Sequence, residues 1–189
     1  MGKHARNSSD EVTTYGRDDL DLLESLSGCG SIEELYSATS RIAKHLGFEH
    51  FIYGVRVNLP LAQPYRFVLS GYPKEWRNHY VEAGYEAIDP TVLHCCRDKR
   101  VTPMIWRDQG SRNGVVAKLW DEAKEFGLVS GVSFPVQGTG EAAMLSLATS
   151  RSQCHANRDI TNSLGQSQLL AYHLHEAVQR VMLRRSVSP

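Results

Sequence analysis

Three aromatic side chains with polar tips recur at every fourth residue in one short stretch of the chain, at Tyr72, Trp76 and Tyr80. Since four residues are close to one helical turn, the three rings should share one face of a helix. A carboxylate follows shortly at Asp89, next to Pro90. An apolar wall that carries hydroxyl, indole N–H and carboxylate groups is typical of a pocket for a small amphipathic molecule. The stretch therefore predicts a ligand-binding site.

Each of these residues also has a simpler interpretation that concerns packing alone. An aromatic stripe on a helix is usually buried core, and Trp106, three residues after Pro103, can pack on a sheet. Asp89 before Pro90 can be the N-cap of a following helix. For Asp89 the capping and binding roles are compatible, because one carboxylate has two oxygens.

Catalytic and metal-binding motifs are missing from the sequence. There is no GxSxG elbow, no zinc-spaced set of histidines and no obvious pair of nucleophile and base. The segment Gly138-Thr139-Gly140 joins two predicted strands, so a phosphate loop is not expected there. His94-Cys95-Cys96 comes nearest to a metal site but has no paired ligands. We expect a protein that is not an enzyme and that uses no cofactor and no metal.

Composition narrows the class of protein further. The 189 residues are enough for one domain with a hydrophobic core, and 21 Lys and Arg balance 21 Asp and Glu. A net charge of zero argues against a strong nucleic-acid surface formed by these residues alone. No apolar run is long enough for a membrane span, and the polar N-terminus does not resemble a signal peptide. Four cysteines without a CxxC pair favour a reduced, cytoplasmic protein.

The elements that must position these residues follow the order helices, two strands, helices, two strands and one long helix. Helices are predicted at 18–26, 114–126 and 157–183. Three more are predicted: one that follows the capping box of Ser31 and Glu34, one over the aromatic stretch with Pro73 in the first helical position, and one that begins at Asp89. Strands are predicted at 48–57, 65–69, 129–136 and 142–148, and the first should turn Ile52, Gly54 and Arg56 to one face. This order predicts an α+β domain with an antiparallel sheet covered by helices on both faces.

Several spaced motifs occur in one order over about residues 47–146. They are Tyr72-Pro73-x-x-Trp76-x-x-x-Tyr80, Asp89-Pro90, Pro103-x-x-Trp106, Ala123 ahead of Gly127-Leu128, and Gly131 with Pro135-x-x-Gly138. In these motifs the chain resembles the autoinducer-binding domain of LuxR-type quorum-sensing transcriptional regulators, and within that family the LasR- and QscR-like members. The resemblance implies an α/β/α sandwich around a five-stranded antiparallel sheet, one strand more than the pattern predicts.

The resemblance also implies a ligand, an N-acyl-homoserine lactone with or without a 3-oxo group, and a role for each matching residue. Trp76 would donate to the ring carbonyl, Asp89 would accept from the amide N–H, and Tyr72 with help from Ser146 would donate to the amide carbonyl. The remaining positions implied to line the pocket are Tyr80, Thr91, Val92, Trp106, Leu128, Ile52, Gly54, Arg56 and Ser133. For Arg56 three interpretations stay open: a bond to a 3-oxo group, a cap on the tail end of the pocket, or an exposed arginine at the sheet edge.

Two departures from the family pattern bear on the strand that carries Ser146. Ala143 stands where the family usually has glycine, and the turn between Gly138 and Glu141 is one residue shorter than in LasR. The hydrogen bond expected of Ser146 is therefore the least secure of the set.

The domain organisation expected from the resemblance has three parts. Residues 1–17 would be a mobile tail, 18–183 the autoinducer-binding domain, and 184–189 the start of a linker. Family members continue into a helix-turn-helix DNA-binding domain that this chain lacks. The chain would then be a domain cut from a longer regulator, or a short natural homologue that inhibits full-length regulators by heterodimerisation. Either would form dimers, most simply homodimers, with DNA reached only through the missing domain and with no membrane contact. A GAF- or PAS-like sensor of another small molecule is the remaining alternative.

Overall fold

The structure, a computed structural model, describes residues 17–57, 65–98, 100–106 and 114–187. The expected N-terminal tail, apart from Arg17, lies outside these ranges, as do residues 58–64 between the first two predicted strands. The helices are α1 (Arg17–Gly28), α2 (Ile32–His45), α3 (Lys74–Glu82), α4 (Pro90–Val92), α5 (Val115–Glu125) and α6 (Gln153–Val187). The strands are β1 (His50–Val57), β2 (Tyr65–Ser70), β3 (Met104–Ile105), β4 (Ser130–Gly138) and β5 (Glu141–Thr149). A 3₁₀ turn at Tyr85–Ala87 and a π-helical turn at Leu93–Arg97 complete the set.

One antiparallel sheet contains all five strands, in the order β2-β1-β5-β4-β3. The predicted α+β class and the five-stranded sheet are confirmed. The strand that the sequence pattern did not indicate is β3, which pairs Met104 with Ser133 and Ile105 with Val132. Two residues are too short a run to show the alternation by which a strand is recognised.

The two faces of the sheet carry different layers. Phe51, Tyr53 and Val55 of β1 are buried in the larger core, which α1, α2 and α6 complete. The alternate residues of β1, from Ile52 to Arg56, point to the opposite face, as predicted. On that face lies a second, smaller core built from α3, the 3₁₀ turn and α5. The candidate site lies within this second layer.

Local rules explain most of the helix boundaries. Ser31 caps α2 by accepting from the backbone N–H of Glu34 (3.1 Å), while the Glu34 carboxylate reaches the backbone N–H of Gly30 (2.7 Å). Pro73 was predicted to be the first helical residue of α3, but it is the N-cap, one residue before the helix begins. Its extended backbone, with ψ of 136°, leaves Lys74 as the first helical residue.

The last helix, α6, is longer than predicted at both ends, because it runs from Gln153 to Val187. Ala171, Leu174, Ala177, Val178 and Val181 recur on its buried face at helical spacing. Despite this length, no helix in the described ranges is both long and apolar enough to cross a membrane.

Candidate functional site

Trp76 is the centre of the aromatic layer on the second face of the sheet. Its side chain is 4% exposed, and its ring centroid lies 5.9 Å from that of Tyr80, 6.2 Å from Tyr85 and 5.6 Å from Phe126. The helical spacing that predicted a shared face for Trp76 and Tyr80 therefore brings their rings into contact. Tyr72, one residue before the N-cap of α3, packs on the same layer.

Asp89 lies beside these rings as a buried carboxylate, 8% exposed. Its Oδ1 accepts from both the backbone N–H and the hydroxyl of Thr91, each at 2.8 Å, and its Oδ2 accepts from the Tyr80 hydroxyl at 2.9 Å. Asp89 is thus the N-cap of α4, with Pro90 in the first turn, as predicted. Among the side chains of the described residues, Oδ2 accepts from the Tyr80 hydroxyl alone, so it has room for a ligand donor.

Two opposing effects act on the pKa of Asp89. Burial raises the pKa of Asp89 above its ordinary value, whereas hydrogen bonds from Thr91, Tyr80 and the backbone N–H of Val92 act to lower it. A donor placed at Oδ2 would stabilise the ionised form further, since hydrogen bonds to an ionised acceptor are stronger than neutral ones.

Tyr72 presents a buried hydroxyl that no atom of the described residues satisfies. Its backbone N–H donates to the Ser70 hydroxyl at 3.2 Å, and its ring meets the His50 ring edge-on, with 6.4 Å between the ring centroids. Burial raises the pKa of Tyr72 well above its ordinary value, and the nearby charge of Asp89 raises it further. The phenol therefore remains protonated, as a donor beside the Asp89 carboxylate.

Ser133 and Ser146 form a pair of buried hydroxyls on neighbouring strands. They lie directly opposite one another in the β4–β5 register, with 2.7 Å between their Oγ atoms. The indole N–H of Trp106 donates to Ser133 at 2.9 Å. The two serines that the resemblance places at the ligand are thus hydrogen-bonded to each other. Trp106 makes a polar contact that the sequence did not indicate.

The first strand supplies open space next to these polar groups. A Cβ atom built on Gly54 would meet no heavy atom within 4 Å. Ile52 is half-buried on the same face, and Arg56, two residues beyond Gly54, is exposed. The guanidinium of Arg56 acts to lower the pKa of Cys96, which burial and the charge of Asp89 together raise to about 11. Arg56 therefore lies close enough to Cys96 to act on its charge.

The remaining predicted lining residues lie around the same layer. Leu128 is buried against the aromatic cluster, and Val92 is half-buried on the short helix that Asp89 caps. Cys95 is fully buried, and its carbonyl accepts from the side chain of Gln137 at 2.6 Å.

Glu122 is a component of the site that sequence reasoning missed. Its Oε2 accepts from the Tyr85 hydroxyl and from Nε2 of His79 (2.6 Å), and both of those rings pack against Trp76. The bond from Tyr85, followed by that from His79, lowers the pKa of Glu122 to about 2. A signal existed: Glu122 is three residues after Leu119, on the inward face of α5.

Comparison with known proteins agrees with this geometry. The family model described as the autoinducer binding domain matches residues 31–178. The transcriptional activator protein AnoR of Acinetobacter nosocomialis is 32% identical over 134 residues, which cover 70% of this chain and 56% of AnoR. The HTH-type quorum-sensing regulator RhlR of Pseudomonas aeruginosa is 31% identical over 103 residues, 54% of this chain and 41% of RhlR. The chain spans about half the length of the curated relatives it matches.

Solved structures show the same architecture. CepR2 of Burkholderia cenocepacia, an N-acylhomoserine lactone dependent LuxR family transcription factor, superimposes with a TM-score of 0.72 at 24% identity, over 92% of this chain and all of that chain. SdiA in complex with octanoyl-rac-glycerol gives a TM-score of 0.69 at 19% identity, over 93% of this chain and 69% of that chain. A structure of Escherichia coli SdiA in a further crystal form gives a TM-score of 0.67 at 20% identity, over 86% of this chain and 67% of that chain. At these identities the likeness shows the fold.

The matched family model covers most of the chain, so the fold and site define an autoinducer-binding domain. More particularly, the chain belongs to the autoinducer-binding domains of LuxR-type quorum-sensing regulators, which confirms the resemblance seen in its motifs.

Proposed function

We propose that this domain binds an N-acyl-homoserine lactone in the layer between α3 and the sheet. The observation that carries the proposal is the buried Tyr72 hydroxyl, which has no partner among the described residues and lies near the buried carboxylate of Asp89. An unsatisfied buried donor is costly to the protein unless a ligand pairs with it. A secondary amide offers the two complementary groups, a carbonyl for Tyr72 and an N–H for Asp89.

The polar roles follow from donor and acceptor chemistry. Asp89 would accept from the amide N–H, Tyr72 and Ser146 would donate to the amide carbonyl, and Trp76 would donate its indole N–H to the carbonyl of the lactone ring. Thr91 and Tyr80, which already donate to Asp89, would hold the carboxylate in place rather than contact the ligand head. These assignments satisfy each strong donor and acceptor of the ligand head.

The acyl chain would extend across Ile52 and Gly54, where the open space over Gly54 supports the proposal. The exposed side chain of Arg56 suits a cap at the outer end or a bond to a 3-oxo oxygen. Val92, Leu128 and the ring of Trp106 would complete the apolar wall.

For the whole protein we propose a regulator in which the ligand orders this domain. Binding to a folded state alone stabilises that state by mass action, so the lactone would favour the ordered domain. The ordered domain would form a homodimer and control DNA binding by a helix-turn-helix domain outside the present chain. A role in the cytoplasm fits a ligand receptor of this kind.

The test is expression with a panel of N-acyl-homoserine lactones of different chain length, followed by mass spectrometry of what co-purifies. Octanoyl-glycerol belongs in the panel, because a structural neighbour was solved with that ligand. We expect one or more lactones to co-purify in about equimolar amount and to be recovered intact after prolonged incubation. Recovery of octanoyl-glycerol alone would overturn the proposed ligand class, and hydrolysed lactone would indicate an enzyme instead.

A further inference from the structure

Tyr85 contacts both ends of the proposed site for the ligand head. Its ring packs on the Trp76 indole, with 6.2 Å between the ring centroids and 33° between the ring planes. Its backbone carbonyl accepts from the backbone N–H of Asp89 at 2.8 Å. Trp76 lies in α3 and Asp89 is the N-cap of α4, and the 3₁₀ turn that begins with Tyr85 lies between them in the chain. A shift of Tyr85 would therefore change the position of Trp76 relative to Asp89.

Packing keeps the Tyr85 side chain inside the aromatic layer, where it is 2% exposed. Its ring also meets the Tyr80 ring edge-on, with 6.0 Å between the centroids. Apolar packing is non-directional, so these contacts hold the ring in the layer without fixing where in the layer it lies.

A hydrogen bond to Glu122 of α5 supplies the missing direction. The Tyr85 hydroxyl donates to Oε2 of Glu122, and Nε2 of His79 donates to the same oxygen at 2.6 Å. These bonds lower the pKa of Glu122 to about 2, so the acceptor is ionised and both bonds are charge-assisted. His79 packs on Trp76 as well, with 6.0 Å between the ring centroids. One carboxylate oxygen thus holds two of the rings that surround Trp76.

We infer that Glu122 and Tyr85 are positioning residues that set Trp76 at the correct distance from Asp89, and that they thereby give the site its preference for a head group with a ring carbonyl. Trp76 and Asp89 make the contacts with the ligand, whereas Glu122 and Tyr85 act through them. The inference rests on the proposed function, because it specifies how two contacts of that site are held at the required spacing.

The two contacts should respond differently to a loss of positioning. A hydrogen bond weakens steeply with misalignment, so a small shift of the Trp76 indole would cost the bond to the ring carbonyl. Asp89 would keep its bond to the amide N–H, because Thr91 holds the carboxylate independently through its backbone N–H and its hydroxyl. The preference for the ring carbonyl is therefore the property to measure.

The experiment compares two ligands that differ only at the ring carbonyl. One is the panel lactone that binds most tightly, and the other is the N-acyl-3-aminotetrahydrofuran with the same acyl chain, which keeps the amide and the ring oxygen. Isothermal titration gives the ratio of their dissociation constants for each variant. The wild type should prefer the lactone by about 2- to 12-fold, the worth of one neutral hydrogen bond, and Trp76→Phe should bind both ligands equally. A general loss of stability would weaken both ligands alike and leave the ratio unchanged.

Tyr85→Phe tests the positioning, because it keeps the ring and removes only the hydroxyl that reaches Glu122. Its preference for the lactone should fall to that of Trp76→Phe, although Trp76 is intact. In the Trp76→Phe background the same change should not alter the ratio, since no indole N–H remains to be positioned. Lys118→Gln is the matched control, because Lys118 lies 3.5 Å from the other oxygen of Glu122, Oε1, and its ratio should stay at the wild-type value.

Glu122 provides a second pair of variants should Tyr85→Phe fail to fold. Glu122→Leu removes the acceptor and should abolish the preference, whereas Glu122→Gln keeps a carbonyl oxygen for the Tyr85 hydroxyl and should restore it. The inference is overturned if Tyr85→Phe keeps the wild-type ratio, if the two Glu122 variants give the same ratio, or if the wild type binds both ligands equally. Those results leave lactone binding standing. Failure of every lactone to bind the wild-type protein would instead overturn the proposed function, and this inference with it.

Discussion

Removal of the Tyr72 hydroxyl should have opposite effects on the protein with and without its ligand. The hydroxyl is buried and has no partner among the described residues. An unsatisfied buried polar group costs about 1–3 kcal/mol. We therefore expect Tyr72→Phe to raise the free energy of unfolding without lactone by about that amount. For a domain of this size the melting temperature should rise by about 2–12 °C.

With saturating lactone the same change would remove the proposed donor to the amide carbonyl. One neutral hydrogen bond is worth about 0.5–1.5 kcal/mol, so affinity should fall by about 2- to 12-fold. The stabilisation produced by a fixed lactone concentration should shrink accordingly. Differential scanning calorimetry of the wild type and Tyr72→Phe, each with and without lactone, measures both effects in one experiment.

Tyr80→Phe is the matched control, because the Tyr80 hydroxyl already donates to Asp89 at 2.9 Å. Loss of a hydrogen bond to a charged group costs about 1.5–3 kcal/mol, so Tyr80→Phe should lower the melting temperature with and without lactone. The reasoning about Tyr72 is refuted if Tyr72→Phe destabilises the protein without lactone, or if its lactone-induced shift equals that of the wild type.

Three further changes test other parts of the site. Burial raises the pKa of Asp89 above its value in the unfolded chain, so the ionised carboxylate destabilises the folded state when the pH is above the folded-state pKa. This destabilisation disappears as the pH falls towards about 4, where the carboxyl group is protonated. Asp89→Asn should remove this pH dependence of stability in urea titrations without lactone. The pKa of Glu122 is lowered to about 2, so the ionised carboxylate stabilises the fold above pH about 4.3, and this stabilisation is lost as the pH falls to about 2. Glu122→Gln should therefore unfold at a lower urea concentration at pH 6, and its stability should fall less steeply with acidification. Gly54→Val should fold at least as well, since the space is open, but should bind long-chain lactones less tightly than short-chain ones in calorimetric titrations.

The fold and the polar half of the site were predictable because short-range rules determine them. Four-residue spacing brought Trp76 and Tyr80 onto one face, and Asp89-Pro90 is a helix start in the structure as in the sequence. Strand alternation separated Ile52 from Phe51. Each of these features depends on residues that are near one another in the chain.

The features that the sequence did not reveal depend on contacts between distant segments. The Trp106–Ser133 bond spans 27 positions, and the bond from Tyr85 to Glu122 spans 37. Single-residue patterns contain no information on which polar partner a side chain finds across the fold. Likewise β3 exists because its two residues lie beside β4. The N-cap position of Pro73 was missed for a different reason, because sequence patterns locate the end of a helix only to within a residue or two.

The central claim is that Asp89 recognises the amide N–H of an acyl-homoserine lactone. Isothermal titration of the wild type and Asp89→Asn with a lactone, and with its ester analogue in which oxygen replaces the amide N–H, tests this claim most directly. A charge-assisted hydrogen bond is worth about 1.5–3 kcal/mol, so the wild type should prefer the amide by about 10- to 150-fold. The Asp89→Asn protein should lose most of that preference. Equal affinity of the wild type for amide and ester, or an undiminished preference in Asp89→Asn, would contradict the account.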